Sequence, residues 1–431
     1  MAASRPNILL IITHDTGRHL GCYGRPVDTP NFDRLAREGV QFEEAYCTAP
    51  QCSPSRASLI TGLTPHQHGL VGLVNRGFQL SQGIPRLPAL LAATGYTTHL
   101  FGIQHEARLA EQLGYQFVHE ADSRSCREVT PLVVDFLRSA GQAPFFASVG
   151  FFETHRKYPE SPGPWDEVEV PEFLPNAPEI RRDVADLNLS VGFVDEAVGV
   201  ILDALDQSGL ADQTLLIYTT DHGIAFPGAK GTLFDPGIQI ALLARGPGGF
   251  RGGKRIATLV RNLDLFPTLL EVAGTIPPTN EGRSLIPLVH GESTGGPERI
   301  FSELNYHVAY DPVRCVRTRR YKYIRSFEPR SWWVPSNVDG GPRMQGYTKA
   351  WYRANQPDVF TRPRPAELLF DLTTDPLERH DVANDPAYRD TLNELRRELL
   401  DWQVATNDPL LSGVVPPQPG VQVAPPDQWD P

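Results

Sequence analysis

The chain has 431 residues, 40% of them hydrophobic, which is enough for one large globular domain and a smaller one. Its 40 basic and 51 acidic residues give a formal net charge of −11 without a long basic block, which argues against binding to nucleic acid or to an anionic membrane. The five cysteines are scattered and show no CxxC spacing, which argues against a disulfide framework and against a structural zinc site.

No apolar run approaches the roughly 20 residues that a membrane-spanning helix needs. The first apolar run, NILLII at 7–12, is also shorter than the apolar core of about 7–15 residues in a secretory signal. We therefore expect a cytoplasmic protein without a membrane partner.

Up to about residue 290, short apolar runs alternate with helical patterns. This alternation predicts an α/β fold with a large, mostly parallel sheet flanked by helices. In chain order the predicted strands are 7–12, 97–101, 144–152, 214–220 and 238–244. The predicted helices are 31–38, 86–94 and 184–207.

Three of the predicted strands end in polar clusters that combine histidine with an acidic residue. These clusters are His14 with Asp15, Glu153 with His155, and Asp221 with His222. In open α/β sheets the ligand crevice lies beyond the carboxyl ends of the strands. We therefore expect the three clusters to meet in space and to form a site.

The pattern changes after about residue 295. A basic, β-rich stretch at 313–327, a strand and turn at 367–376 and a periodic helix at 387–403 predict a smaller α+β domain. The last residues are rich in proline and predict an extended arm. The predicted organisation is a catalytic domain at 1–295, a C-terminal α+β domain at 296–408 and the arm at 409–431.

The segment CSPSR at 52–56 places a cysteine, a proline and an arginine close together. Pro54 suits the first turn of a short helix and Gly62 suits its end, so Cys52 lies near the helix N-terminus, where negative charge is favoured. Arg56, one turn later, offers a planar fork for a tetrahedral oxyanion. The five residues alone leave open that Cys52 is a small buried hydrophobe and Arg56 a surface residue.

The longer stretch CSPSRASLITG resembles the signature of the type I sulfatases, members of the alkaline phosphatase superfamily, in which C-x-P-S-R is followed by A-S-x-x-T-G. Further blocks match in the same order: RPNILLIITHDTG, TPNFDRLAREGVQFEEAYC, GLTPHQHG, TTDHG, AKGTLFDPG, VRTRRYKYI and LLFDLTTDPLERHDVANDP. Within that family, ETHR, GIAFP and LLDWQVATNDP are most similar to the N-sulfoglucosamine sulfohydrolases, the heparan N-sulfatases. The resemblance implies the sulfatase fold and hydrolysis of a sulfate ester or of an N-sulfate (a sulfamate), for example on a sulfated sugar.

The resemblance also implies how the nucleophile forms. In this family a formylglycine-generating enzyme, a transient partner, oxidises the cysteine that corresponds to Cys52. One hydroxyl of the hydrated aldehyde then attacks sulfur, and the other expels sulfate. The implied substrate is a small anionic sulfated molecule.

By the same resemblance, one divalent metal is held by residue 52 and by the pairs His14-Asp15 and Asp221-His222. Family members commonly have Asp-Asp at the first pair and Asp-Asn at the second. Calcium is the family default, but two imidazoles make manganese, magnesium or zinc alternatives. For His14, ligation of the metal and a hydrogen bond to a ligand are equally open.

The remaining site residues also follow from family positions. His155 and Lys230 fall where the family contacts the sulfuryl group or the leaving atom, and His105 matches the histidine of the family's K-x-H element. Ile103 stands where that element has its lysine. Loss of that cation would lower the affinity for sulfate or pass its binding to another base, such as Arg18 or Arg156.

Two other functions stay open at this point. Relatives in the same superfamily hydrolyse phosphonate monoesters or phosphodiesters with a similar nucleophile motif. A catalytically silent anion-binding homologue is the other, because Ile103 and the His14-Asp15 pair depart from the family pattern. The oligomeric state also stays open, a homo-oligomer included.

Overall fold

The structure, a computed structural model, describes residues 5–141, 144–292, 297–328, 346–356 and 363–424. The strands of this part are β1 (Asn7–Thr13), β2 (Val40–Tyr46), β3 (Thr97–Gly102), β4 (Phe117–His119), β5 (Phe145–Gly150), β6 (Thr214–Thr220), β7 (Leu242–Arg245), β8 (Lys254–Arg261), β9 (Arg299–Tyr306), β10 (Tyr310–Thr318), β11 (Tyr321–Ser326) and β12 (Glu367–Asp371). The α-helices are α1 (Pro30–Glu38), α2 (Cys52–Thr61), α3 (Pro65–His68), α4 (Leu87–Ala93), α5 (Cys126–Ser139), α6 (Pro178–Gln207), α7 (Asp235–Ile238), α8 (Leu265–Val272), α9 (Ile286–His290), α10 (Gly346–Asn355) and α11 (Arg389–Ala405).

The larger sheet has eight strands in the order β4-β3-β5-β1-β6-β7-β2-β8. Strand β1 lies in its middle and pairs in parallel with both β5 and β6. Strand β7 is antiparallel to both of its neighbours, β6 and β2. The sheet is therefore mixed but mostly parallel, as the alternation of apolar runs and helices predicts.

The apolar side chains of β1 point alternately to the two faces of the sheet. Ile8 and Leu10 belong to one buried cluster, whereas Leu9 and Ile11 belong to another. Successive side chains of a strand point to opposite faces, so a strand that is apolar throughout must be covered on both sides. Helices cover the two faces and complete the predicted α/β architecture.

The structure corrects one predicted strand. The sequence pattern predicts a single strand at 238–244, but β7 begins only at Leu242, and the preceding residues 235–238 form α7. Pro236 favours the first turn of that helix. Ile240 N then donates to Ala45 O and Ala241 N donates to Gly17 O, so these amides bond outside a regular ladder.

Other elements match or extend the predictions. The long helix predicted at 184–207 lies within α6, which starts six residues earlier. Strands β2 and β8 are not predicted, because VQFEEAY and KRIATLVR carry charged residues that interrupt the apolar pattern. Both lie toward one edge of the sheet, where exposed positions accept charge.

A second, antiparallel sheet follows, with the strand order β12-β11-β10-β9. The predicted stretches 313–327, 367–376 and 387–403 correspond to β10 and β11, to β12 and to α11. Helix α11 packs on this sheet through Leu395, Leu399 and Trp402, which contact Val316 and Tyr323. Sequence and structure thus agree on a smaller α+β unit.

The predicted arm is described as far as residue 424, and residues 425–431 lie outside the described part. Within it, Val415 is buried in a cluster with Leu70 and Phe78. None of the described helices combines the length and the apolar character needed to cross a bilayer.

A buried network of ion pairs connects the smaller sheet with α3, the short helix that follows α2. Arg314 in β10 donates to both carboxylate oxygens of Asp408, at 2.7 and 2.9 Å, and lies 3.3 Å from a carboxylate oxygen of Glu303. Glu303 in turn lies 2.6 Å from Nδ1 of His66 in α3. The Arg314 side chain is fully buried, so it balances two carboxylates that water cannot reach.

We expect Arg314→Met to lower the free energy of unfolding by roughly 3 to 5 kcal/mol, because it leaves two buried carboxylates without their cation. Urea unfolding followed by circular dichroism measures the loss. The matched control is Arg255→Met, which removes an arginine whose side chain is 65% exposed and whose partner is Glu43, and which should change stability little. Equal urea midpoints for the two variants would contradict the assignment.

Candidate active site

Cys52 is the first residue of α2 and lies at the carboxyl edge of the large sheet. Every residue of this helix is buried, and Gly62 ends it in the left-handed region at φ 69°. The Cys52 side chain is only 3% exposed. The predicted helix and the position of Cys52 at its N-terminus are both confirmed.

Two acidic residues follow the neighbouring strands β1 and β6 and face each other. Asp15 has φ 52°, an uncommon conformation for a residue with a side chain, and its amide donates to Asp221 Oδ1 at 2.9 Å. Cys52 Sγ lies 3.9 Å from Asp15 Oδ1. The carboxyl ends of two central strands and the start of α2 therefore meet at one point, as the polar clusters predict.

The histidine of the second pair completes this contact. His222 Nε2 lies 3.3 Å from Cys52 Sγ and 3.2 Å from Asp15 Oδ1. Its Nδ1 donates to Gly223 O at 3.0 Å, which fixes the ring and turns Nε2 toward the other two residues. A metal-binding histidine is typically oriented in this way, by a carbonyl on its other nitrogen.

Two buried cations offset the two carboxylates. Lys230 Nζ donates to Asp15 Oδ2 at 2.6 Å, and Arg56 Nε donates to Asp221 Oδ2 at 3.0 Å. Both side chains are almost fully buried. The Arg56 guanidinium also donates to Thr13 O at 3.3 Å, so it connects the end of β1 with Asp221 after β6.

Gly223 stands at the start of the loop that carries Lys230, and its backbone lies close to that of Pro236 at the other end of the loop. A Cβ atom on Gly223 would lie 1.8 Å from the carbonyl oxygen of Pro236, nearer than any real contact. The glycine of TTDHG is therefore required by the close approach of two backbones. A larger residue there would push the backbone at Pro236 and Gly237 away from Gly223.

Burial and charge set the protonation of the site. Burial raises the pKa of the Cys52 thiol well above its usual range, although the nearby Lys230 acts in the opposite direction. Burial would also raise the pKa of Asp221, but His222, His14 and Arg56 outweigh it and hold that pKa well below its usual range. The buried carboxylate is thus stabilised in its charged form.

Three histidines lie together on one side of the carboxylates. The ring of His14 is 5.9 Å from the rings of both His105 and His155. Burial, followed by the charge of Arg56, lowers the pKa of His14 to about 3. Burial, followed by the influence of His14, lowers the pKa of His105 to about 3. Both rings are therefore neutral near pH 7.

The donor set fits a divalent cation. One atom each of His14, Asp15, Cys52 and Asp221 can be chosen so that all four lie within 4.8 Å of one another, and all four residues are buried. His14 Nδ1 lies 2.9 Å from Asp221 Oδ2, and Nε2 of the same ring is buried without a hydrogen-bond partner among the described residues. Carboxylate oxygens are ligands that calcium, magnesium and manganese prefer, whereas imidazole nitrogens suit zinc or iron.

Arg156 is placed differently from the other predicted residues. Its guanidinium donates to both oxygens of Asp183, at 2.7 and 2.8 Å, and its Nε donates to Ala225 O at 2.9 Å. The prediction that Arg156 binds substrate stays a prediction, and the geometry gives this residue a second role in fixing the loop after β5. Ile103 is buried at the end of β3 and supplies no charge there.

Two residues near the histidines are not evident from the sequence. Glu106 is 4% exposed and accepts a hydrogen bond from His105 N at 2.6 Å. Phe152 is 37% exposed, and its ring lies 5.0 Å from that of His155. The position of Glu106 directly after His105 in the chain could have indicated Glu106 as a site residue. Its burial, however, cannot be predicted from the sequence.

Comparisons with known proteins give consistent results. Residues 6–275 match the family described as Sulfatase, and residues 226–343 match the family described as N-sulphoglucosamine sulphohydrolase, C-terminal. Human N-sulphoglucosamine sulphohydrolase is 30% identical over 95% of this chain and 92% of the human protein. An ulvan-active sulfatase of Formosa agariphila is 27% identical over 94% of this chain and 76% of its own length.

Solved structures with this fold include two that act on sulfated sugars according to their descriptions. A 2-O GAG sulfatase superimposes with a TM-score of 0.75 at 24% identity, over 98% of this chain and 97% of its own. A protein in complex with its substrate D-glucosamine-2-N,6-O-disulfate superimposes with a TM-score of 0.71 at 19% identity, over 94% of this chain and 99% of its own. At these sequence identities, the structural similarity shows that the proteins share a fold.

Proposed function

The chain belongs to the sulfatase family and hydrolyses sulfate esters or sulfamates, and from that premise we propose that a formylglycine at residue 52, with a divalent metal beside it, acts on a sulfated sugar. The observation that carries the proposal is the position of Cys52 Sγ, 3.3 Å from His222 Nε2 and 3.9 Å from Asp15 Oδ1. Lys230 and Arg56 lie beside the same carboxylates. A nucleophile, oxygen and nitrogen donors and two fixed cations are therefore available at one point.

Residue 52 as a hydrated aldehyde would supply two hydroxyls, one to take the sulfuryl group and one to release it. A metal held by Asp15, Asp221, His222 and His14 would act as a Lewis acid that lowers the cost of negative charge there. Lys230 is held at 2.6 Å from Asp15 and places a positive charge where the sulfuryl oxygens would lie. Arg56 keeps Asp221 charged and in position.

The histidines can move protons at the leaving group. His155 Nδ1 donates to the carbonyl oxygen of Arg156 at 2.6 Å, which fixes the tautomer and leaves Nε2 as the atom that exchanges a proton. His105 lies on the other side of His14 and is held through its backbone by Glu106. We propose that His155, through Nε2, protonates the leaving nitrogen or oxygen of the sugar.

The sugar assignment is supported by the match of residues 226–343 to the C-terminal family of N-sulphoglucosamine sulphohydrolases. The human relative of that name aligns over 95% of this chain. We therefore propose N-sulfoglucosamine as the first substrate to test, ahead of simple aryl sulfates.

A substrate panel tests the proposal. Protein produced together with a formylglycine-generating enzyme is incubated with N-sulfoglucosamine, with an aryl sulfate and with a phosphonate monoester, and kcat/KM is measured for each. We expect the highest value for the sugar sulfamate. Fastest turnover of the phosphonate would point to the phosphonate hydrolases instead, and no turnover by protein that still carries an intact Cys52 thiol would point to a silent homologue.

A further inference from the structure

A second cavity lies at the same edge of the sheet as the candidate active site. Its volume is about 100 Å³, and it is bounded by residues after β1, β5 and β6 and by Pro376 and Leu377 of the smaller unit. The charged residues that line it include Arg18 and Arg25. None of the residues that the proposed chemistry uses lines this cavity.

The two arginines have no carboxylate partner. Among the described residues neither guanidinium forms an ion pair, and the buried Nε of Arg18 has no hydrogen-bond partner. The Arg18 guanidinium is held over the ring of Tyr23, 4.9 Å from its centroid. Arg25 is exposed, so the cavity is open to solvent on its side.

Two acidic residues also border the cavity but do not neutralise these arginines. Asp235 is already paired, because Arg317 lies 3.0 Å from it and Lys322 donates to it as well. Glu172 is exposed; its charge favours the charged form of Arg25, but it forms no ion pair with either guanidinium among the described residues. Burial, followed by the charge of Arg18, lowers the pKa of Arg25, as expected for two like charges held close together.

Part of the cavity lining is close in the chain to two proposed metal ligands. Gly17 and Ile224 line it, and each follows a proposed metal ligand, Asp15 or His222, by two residues. Two residues of extended chain span at most about 7 Å. The two segments are joined by a hydrogen bond from Gly17 N to His222 O at 2.9 Å. The lining of the cavity therefore includes backbone that lies within two residues of two proposed metal ligands.

We propose that Arg18 and Arg25 bind a second anionic group, a sulfate or a carboxylate, carried by the same sugar whose sulfate is hydrolysed at residue 52. This inference rests on the proposed function. Guanidinium forks match the oxygens of sulfate and carboxylate, and an anion between them removes the repulsion of the two like charges. The protein has a net charge of −11, so a polyanionic sugar needs such a local positive site in order to bind.

The kinetic test compares a sugar with one anionic group and a sugar with two. The substrates are N-sulfoglucosamine and D-glucosamine-2-N,6-O-disulfate, and the variants are Arg18→Gln, Arg25→Gln and the double variant. We expect the ratio of kcat/KM for the disulfate to that for the monosulfate to fall by about tenfold or more in the double variant. Arg18→Lys keeps the positive charge but lacks the planar guanidinium group. It should give a kcat/KM ratio between those of the wild type and Arg18→Gln.

The matched control is Arg397→Gln, which removes an exposed arginine on α11 and should leave the ratio at the wild-type value. Arg25→Gln alone keeps the test informative if loss of the Arg18 contact with Tyr23 harms folding, since Arg25 is exposed. An unchanged ratio in folded Arg25→Gln and in the folded double variant would overturn the inference.

A binding measurement separates this inference from the proposed function. Calorimetric titration of a Cys52→Ala background with both sugars gives Kd values without turnover, and we expect the arginine substitutions to weaken binding of the disulfate about tenfold more than that of the monosulfate. If the wild type hydrolyses neither sugar, the proposed function fails, while the disulfate Kd still tests the cavity. Binding of inorganic sulfate that depends on both arginines, without discrimination between the sugars, would indicate a free-anion site and overturn the inference.

Discussion

Replacing Cys52 with alanine is expected to abolish turnover, with a fall in kcat of about 10⁴-fold or more and with the fold intact. The reason is that the proposed chemistry forms and breaks a covalent bond at residue 52, and removal of a nucleophile costs this much when no other group can replace it. The side chain is small and 3% exposed, so its loss removes little packing. Rate assays on the best substrate of the panel measure kcat, and circular dichroism checks the fold.

A matched control is Cys47→Ala, because Cys47 is a second buried cysteine that lies in the apolar core. This variant should keep near-normal kcat and lose only some stability. Intact-mass analysis of the peptide that contains residue 52 adds a direct readout, because conversion of the thiol to the aldehyde changes the mass. Near-normal turnover of Cys52→Ala would rule out a nucleophile at this position.

Replacing Asp221 is expected to remove bound metal and activity together. Asp221 offers an oxygen to the proposed metal, and it also faces Arg56 at 3.0 Å and His14 at 2.9 Å. We expect Asp221→Asn, which keeps the shape, to lower kcat by about 100-fold or more and to lose the metal on dialysis. Metal content is measured by mass spectrometry, together with the melting temperature with and without chelator.

The melting temperature distinguishes a lost metal from a damaged fold. A ligand present at about 100 times its Kd stabilises the folded state by roughly 2.7 kcal/mol, so chelator should lower the melting temperature of the wild type and leave that of Asp221→Asn unchanged. The control is Asp195→Asn, a buried carboxylate that accepts hydrogen bonds from Asn31 and Phe32 at the start of α1. This control should keep its metal. Metal retained by Asp221→Asn at the wild-type level would contradict the ligand assignment.

Much of the site is predictable because its determinants are local. Strand β1 is apolar throughout and ends at His14 and Asp15, and the same pattern holds for β6 with Asp221 and His222. The carboxyl ends of parallel neighbours must meet, so the strand pattern alone places their polar residues together. The glycine and proline around Cys52 likewise fix a helix start by backbone preference alone.

Other features depend on partners far away in the chain. The sequence allows Arg156 to be a free cation, but it is bonded to Asp183, 27 residues later, and nothing in ETHR indicates this. The direction of β7 and the irregular backbone at 239–241 follow from bonds to Ala45 and Gly17 and from the pairing with β6. The neutral state of His105 comes from its burial, which depends on how the loops pack.

The sequence by itself determined the layered α/β fold, the family and the residues that gather at the carboxyl edge of the sheet, because periodicity, helix caps and motifs are encoded over short stretches of chain. Only the tertiary structure decided which charges are paired and which are open to a ligand. It paired Arg56, Lys230, Arg156 and Arg314 with carboxylates and left Arg18 and Arg25 facing a cavity. The physical reason is that the energy of a charge depends on its burial and on the nearest opposite charge, and both are set by residues distant in sequence.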